Sequence, residues 1–168
     1  MDADLVNRFI ESAQGVLQTE IGGPVNMGKV SAQNTPYTTQ RITTLIGVTG
    51  SIEGVMMFGL SEETAKLLVS RMIGQEIDNF DDLAQSGIAE MGNVIAGTAM
   101  TSLSAKGLTC NISPPTVIVG SGVTISTLNV ARLVIPLITS CGLVEMQLAL
   151  KANGRPRLQT VATASSLG

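Results

Sequence analysis

The chain contains no histidine, and this absence removes several classes of catalytic site. Ser-His-Asp and Cys-His nucleophilic sites are excluded, as are histidine-based zinc sites. The two cysteines, Cys110 and Cys141, stand apart without Cys-x-x-Cys spacing, so the metal and redox motifs are missing too. We expect both thiols to lie in the core, because free cysteine behaves as a small hydrophobe.

Aromatic and basic residues are also scarce. There are three Phe, one Tyr and no Trp among 168 residues, although the hydrophobic content of 44% is normal for a globular domain. The core must therefore be aliphatic, and surfaces for stacking bases are absent. The net charge of −3 argues against nucleic acid and against an anionic membrane surface, because both attract mainly Lys and Arg.

Long apolar runs are missing as well. No stretch approaches the roughly twenty apolar residues of a membrane-spanning helix. The best candidate, Val130 to Ile138, is interrupted by Arg132 and Pro136. The acidic start, Met1 to Asp4, lacks the basic region of a secretory signal. Together these features predict a cytoplasmic protein.

What the chain does contain is a series of segments with helical or extended patterns. The expected helices are Ala3 to Glu20, Glu62 to Ile73 and Phe80 to Lys106, and Ser61 should cap the second of them and Gly74 should end it. Asp78 or Asn79 is expected to cap the third helix, and Gly107 to end it. The expected strands are Val25 to Val30, Thr38 to Val48, Ser51 to Leu60, Thr109 to Ile112, Thr116 to Val119, Val123 to Val134 and Leu143 to Leu150.

The two halves of the chain echo one another. The run Gly50 to Met56 has a counterpart in Cys141 to Met146, and in each half helical material precedes a hairpin built on that turn. We therefore predict an α/β protein of the α+β type, in which a duplicated helix-plus-hairpin unit forms a largely antiparallel sheet with helices on one face. A single domain over residues 1–168 is expected, with a frayed tail at about 157–168.

The third predicted helix carries a polar stripe. At about 100° per residue, Ser86, Glu90 and Asn93 fall within roughly 60° of arc. The opposite side is apolar and should be buried on the sheet, so Glu90 and Asn93 should face outward. That apolar side consists of Ala84, Ile88, Met91, Ile95, Ala99 and Leu103. Taken alone, Glu-x-x-Asn is a weak signal, because the same spacing also occurs on solvated helix faces that have no function.

Three glycines interrupt the same helix, each at a cost of up to about 1 kcal/mol relative to Ala. They are Gly87, Gly92 and Gly97. Close packing on the sheet is one explanation for Gly92, which lies nearer the buried side. For Gly97, beside Asn93, we expect close approach by another protein.

The run from Ala84 to Asn93 resembles the phosphatase motif of the CheC, CheX and FliY family. In that motif Ser or Asp stands four residues before Glu, and Asn three residues after it, as in Ser86, Glu90 and Asn93 here. A proline follows downstream in the family, where this chain has Pro114-Pro115. The resemblance to the CheX branch spans most of residues 3–151. It is carried further by Ile46 to Gly54, Ser61 to Ala65 and Ile112 to Val117.

The resemblance implies a phosphatase that hydrolyses the phospho-aspartate of a CheY-type response regulator in bacterial chemotaxis. The regulator would bring its own Mg²⁺ and lysine, so this chain would need no cofactor or metal. Asn93 would position the attacking water, because a carboxamide offers a donor and an acceptor without negative charge. Glu90 would anchor the helix to the lysine. Ser86 and Gly97 would belong to the partner-binding surface, with Ser86 at its rim.

The family also bears on the number of sites and subunits. CheC proteins usually carry the motif twice, whereas the first helix here has Asn7 and Glu11 in the wrong order and spacing, which implies one active helix. A homodimer joined through the sheets is expected, because the apolar segment Thr127 to Ile138 would invite aggregation as an open edge. The alternative function is a non-catalytic module that binds a response regulator or a motor-switch component.

Overall fold

A computed structural model describes residues 1–154, which form three helices and ten strands. The helices are α1 (Ala3–Ile21), α2 (Glu62–Ile73) and α3 (Asp82–Ser104). The strands are β1 (Asn26–Met27), β2 (Ser31–Gln33), β3 (Tyr37–Thr38), β4 (Ile42–Gly50), β5 (Ile52–Leu60), β6 (Cys110–Ile112), β7 (Thr116–Val119), β8 (Thr124–Ile125), β9 (Arg132–Thr139) and β10 (Gly142–Ala152). The tail predicted at 157–168 lies outside the described residues.

Eight of the strands form one antiparallel sheet in the order β1-β9-β10-β5-β4-β6, with β2 also beside β9 and β7 also beside β4. The two long hairpins, β4–β5 and β9–β10, make its centre and pair with each other through β5 and β10. The helices pack on the face that presents Ile46 and Phe58. The predicted antiparallel sheet with helices on one face is confirmed.

The duplication extends over both halves. Each half runs helix, two short strands, a two-residue strand and a long hairpin: α1-β1-β2-β3-β4-β5, then α3-β6-β7-β8-β9-β10. The short strands of each half pair with the hairpin of the other half. Met27 on β1 lies opposite Leu137 on β9, and Asn111 on β6 lies opposite Thr49 on β4. The halves are therefore interlocked rather than side by side.

Aliphatic side chains fill the space between sheet and helices, as the composition predicted. A fully buried Ile, Leu or Met side chain contributes about 1.5–3 kcal/mol by leaving water, which makes this layer the main source of stability. Cys141 is buried as expected, whereas Cys110 is only partly buried at the edge of the core. Within residues 1–154 no helix combines the length and the apolar character needed to cross a membrane.

Strands β3 and β8 pair with each other as a separate two-stranded ribbon. Arg132 on β9 fixes the chain that leads into β3. Its buried guanidinium donates to the carbonyl of Thr35 at 2.7 Å and to the side-chain oxygen of Gln33 at 2.8 Å, and lies 5.3 Å from the centre of the Tyr37 ring. This contact holds the ribbon to the central sheet.

The strand predicted from Val123 to Val134 is wrong in its middle. Strand β8 ends at Ile125 and β9 begins at Arg132. Between them a turn is closed by the N–H of Val130, which donates to the carbonyl of Thr127 at 3.2 Å. Leu128 and Asn129 inside it have positive φ angles of 21° and 59°. The β-branched composition of the segment conceals this turn.

The apolar segment Thr127 to Ile138 was expected to form an open edge of the sheet, and this prediction is also wrong. Strand β9 is paired on both sides, with β10 on one and with β1 and β2 on the other. Its backbone is therefore not an open edge that a homodimer would have to cover. The homodimer itself stays a prediction.

Candidate functional site

Helix α3, which carries the predicted site, is fixed at both ends by its own sequence. Its cap is Asp81, whose carboxylate accepts the N–H of Ala84 at 3.0 Å, so the prediction of Asp78 or Asn79 is wrong. Phe80 packs against the core before the helix starts, which moves the cap downstream of it. At the other end Gly107 has a φ of 77°, as predicted for a terminating glycine.

The buried side of α3 is the predicted one. All six of the apolar residues named for it are buried: Ala84, Ile88, Met91, Ile95, Ala99 and Leu103. The polar stripe lies away from this side. Ser86 and Glu90 are exposed, while Asn93 and Gly97 are half-buried. Within residues 1–154 the side chains of Glu90 and Asn93 make no hydrogen bond or ion pair, so their polar groups are available to a partner.

The three glycines of α3 have different surroundings. A Cβ atom at Gly92 would lie 3.0 Å from a methyl of Thr44 and 3.2 Å from one of Ile46, so this glycine lets the helix lie close to β4. A Cβ at Gly87 would lie 2.7 Å from a methyl of Val69 on α2. At Gly97 a Cβ would meet no neighbouring atom of residues 1–154 within 4 Å, so packing among these residues does not explain this glycine.

Helix α1 is the counterpart of α3 in the first half. Six buried residues of α1 each lie 82 positions before a buried residue of α3. They are Val6, Phe9, Ile10, Ala13, Leu17 and Ile21. The same offset places Arg8 where α3 has Glu90, and Glu11 where α3 has Asn93. Arg8 is held by Asp4 at 3.3 Å and by the hydroxyl of Ser102 at 2.8 Å. Helix α1 therefore repeats the packing of α3 without its Glu and Asn pair.

The proline pair of the motif lies in the turn between β6 and β7, two strands that α3 contacts. The turn is tied to β4, because the N–H of Gly47 donates to the Ser113 hydroxyl at 2.8 Å and the Ser113 N–H donates to the Gly47 carbonyl at 2.9 Å. Nowhere in residues 1–154 do three or more Cys, Asp or Glu side chains form a group that could hold a metal.

One surface feature beside the stripe was not predicted. Val94 and Thr98 of α3 line a groove shared with α1. Val94 and Thr98 follow Glu90 at helical spacing, so their place on α3 could be read from the sequence. The groove could not be predicted, because α1 and α3 are about 80 residues apart in the chain and no local pattern shows that they pack together.

Similar solved structures define the class of fold. A CheC-like superfamily protein from Shewanella sp. PV-4 superimposes with a TM-score of 0.81 at 22% identity, over 90% of this chain and 100% of that one. A CheX–CheY–BeF3–Mg²⁺ complex from Borrelia burgdorferi matches with a TM-score of 0.77 at 28% identity, over 89% of this chain and 99% of that one. The chain thus has the CheC-like fold.

Sequence comparison narrows this class to one family. Residues 42–137 match the family described as Chemotaxis phosphatase CheX. The CheY-P phosphatase CheX of Thermotoga maritima is 37% identical over 131 residues, which are 77% of this chain and 84% of that protein. The chain belongs to the CheX family of chemotaxis phosphatases, and the resemblance stated from the motif is confirmed.

Proposed function

We propose that this chain hydrolyses the aspartyl phosphate of a CheY-type response regulator, using α3 as the helix that enters the phosphorylation site. Membership of the CheX family supports the activity, as does the similarity to the CheY-P phosphatase of Thermotoga maritima. The observation that carries the site is the pair Glu90 and Asn93, which stand in motif register on α3 and make no hydrogen bond or ion pair within residues 1–154.

Asn93 is the residue that we assign to the reacting water. Hydrolysis needs a water in line with the bond between phosphorus and the aspartyl oxygen, and positioning supplies much of the catalysis in phosphoryl transfer. The water attacks phosphorus, the bond to the aspartyl oxygen breaks, and the products are aspartate and inorganic phosphate. The Asn93 carboxamide can accept from the water and donate to the phosphoryl group, and it brings no charge that would repel the anion.

Glu90 is the residue that we assign to anchoring. It lies almost one turn before Asn93, with the two Cβ atoms about 5–6 Å apart as expected for an i,i+3 pair. Its carboxylate would be repelled by the phosphoryl group but attracted by a lysine of the regulator. Ser86, exposed one turn earlier, lies at the rim of this surface, and Gly97 lets the partner approach the helix closely.

The metal belongs to the partner in this proposal. A Mg²⁺ ion is present in the Borrelia burgdorferi complex of CheX with CheY and BeF3, a chemical stand-in for a phosphoryl group. We place Mg²⁺ on the regulator, where it neutralises phosphoryl charge before α3 arrives. The predicted cytoplasmic location stays a prediction.

The test times phosphate loss from a phosphorylated regulator of the same organism, with and without this chain. Asn93→Ala should reduce the stimulated rate by roughly a hundredfold or more, because the water loses its positioning group, while regulator binding is kept. Asn7→Ala, at an exposed asparagine on α1, is the matched control and should be fully active. Wild-type rates in Asn93→Ala would contradict the assignment. Wild-type binding without any stimulation would instead favour the non-catalytic binding module.

A further inference from the structure

A groove of about 240 Å³ lies on the surface between α1 and α3. Val94 and Thr98 form its α3 side, and Gly15 and Val16 belong to its α1 side. Val94 remains 38% exposed, although it is large and apolar.

The groove is continuous with the proposed site. Glu90, Val94 and Thr98 follow one another at i,i+4 spacing, so their Cβ atoms form one ridge with steps of about 5–6 Å. The Thr98 hydroxyl donates to the Val94 carbonyl at 2.8 Å, which leaves its methyl as the remaining contact group. The groove thus opens one turn beyond the anchoring carboxylate. A stable complex covers roughly 800 Å² on each partner, far more than Glu90 and Asn93 supply, so a regulator seated on them must also cover neighbouring surface, and this ridge continues directly from Glu90.

The α1 side of the groove is kept open by a glycine. Gly15 is exposed in mid-helix, and a Cβ there would meet no neighbouring atom of the described residues within 4 Å. A helical glycine costs about 1 kcal/mol relative to Ala, and no internal packing offsets this cost. By the offset of 82 residues, Gly15 of α1 is the equivalent of Gly97 of α3. Each helix therefore has a glycine with open surroundings at the equivalent position.

Two acids border the groove. Glu11 and Glu20 both line it, and across residues 1–154 neither carboxylate has a hydrogen bond or an ion pair. Because the two carboxylates are nine residues apart on α1, about 13 Å along the helix axis, they lie at different ends of the groove. Glu11 at one end therefore fits a cation next to the apolar side chain that fills the groove.

We propose that this groove is a second contact of the phosphorylated regulator, and the inference rests on the function proposed above. The groove takes an apolar side chain from the surface next to the phospho-aspartate, and Glu11 faces a lysine or arginine beside it. The contact contributes binding and specificity, whereas the chemistry stays with Asn93.

The first test fills the groove. Gly15→Leu should raise KM for the phosphorylated regulator roughly tenfold and leave kcat unchanged, because it removes uniform binding. Gln18→Leu adds the same side chain to an exposed position of α1 outside the groove and should keep the wild-type KM. Thermal unfolding checks the fold, and Gly15→Leu should be at least as stable as wild type because leucine is the better helix former.

The second test changes charge and does not depend on Gly15→Leu folding. Glu11→Lys should raise KM severalfold, most strongly at low salt, because it turns an attraction into a repulsion. Glu76→Lys, an exposed acid between α2 and α3, makes the same charge change and should have a smaller effect.

The outcomes separate the two proposals. If wild-type protein does not hydrolyse the regulator, the proposed function fails and the groove proposal falls with it. If wild type is active and Asn93→Ala inactive, wild-type KM values in Gly15→Leu and Glu11→Lys overturn the groove proposal alone. A fall in kcat at unchanged KM in these variants would also overturn it, because the groove would then act in the chemistry.

Discussion

Gly87 and Gly97 on α3 should respond in opposite directions to the same substitution. Gly97→Ala places a methyl in open space, so it should raise the free energy of unfolding by about 0.5–1 kcal/mol through helix propensity and a less flexible unfolded chain. Gly87→Ala gains the same propensity, but its methyl would lie 2.7 and 2.8 Å from the two methyls of Val69, which is fully buried. Overpacking of this kind costs about 1–3 kcal/mol, so we expect a net loss of about 1–2 kcal/mol.

Urea unfolding measures both changes, provided that the slope with denaturant is the same for wild type and variants. For a chain of this size 1 kcal/mol corresponds to about 2–4 °C in Tm, so a thermal scan gives an independent check. A destabilised Gly97→Ala or a stabilised Gly87→Ala would refute the packing argument. Gly97→Ala should also raise KM for the phosphorylated regulator severalfold, since its methyl stands on the proposed docking surface. An unchanged KM would remove Gly97 from that surface.

The other predictions concern the anchor, the helix cap, the core and the assembly. Glu90→Gln should weaken binding to the phosphorylated regulator and flatten its salt dependence, and equal affinity and slope would remove the lysine contact. Asp81→Ala should cost about 1 kcal/mol of stability while Asp78→Ala costs little, and the reverse order would restore the cap first predicted from the sequence. Thr44→Val should raise the free energy of unfolding by about 1 kcal/mol, because within residues 1–154 its buried hydroxyl has no partner, and a loss would indicate a partner that the structure does not show. Sedimentation at micromolar concentration should give about twice the 17.4 kDa of one chain if the homodimer forms, and the mass of a single chain would disprove it.

Features with a local cause were predictable from the sequence. Ser61 caps α2 with its own hydroxyl, and Gly74 ends that helix in the left-handed conformation. Each end of α2 is therefore determined by residues next to it in the sequence. The stripe of Glu90 and Asn93 follows from helical periodicity because α3 is long and its apolar side is continuous. The hairpin turn at Gly50 and Ser51 needs a positive φ, which its glycine supplies.

Features decided by distant partners were not predictable. The loop around Leu128 and Asn129 has the composition of a strand, and it bends only because β8 belongs to the ribbon while β9 belongs to the main sheet. The cover of β9 by β1 and β2 depends on pairings of two and three residues, too short to leave a pattern. The groove beside Glu90 exists only once α1 and α3 are packed together.

The exchange of short strands between the halves has a consequence for synthesis of the chain. Strands β1 and β2 emerge early from the ribosome, yet their partner β9 begins only at Arg132. The backbone N–H and C=O groups of β1 and β2 therefore lack their strand partner until most of the polypeptide has been made. Such long-range strand pairing is typical of slowly folding β topologies. Two fragments cut in the α2–α3 connection should accordingly be insoluble or unfolded when produced singly, and should reconstitute phosphatase activity only when produced together. The first half lacks the Glu and Asn pair, but the second half, which carries it, needs the first half to fold. Strands β1 and β2 of the first half supply the backbone partners for the outer side of β9.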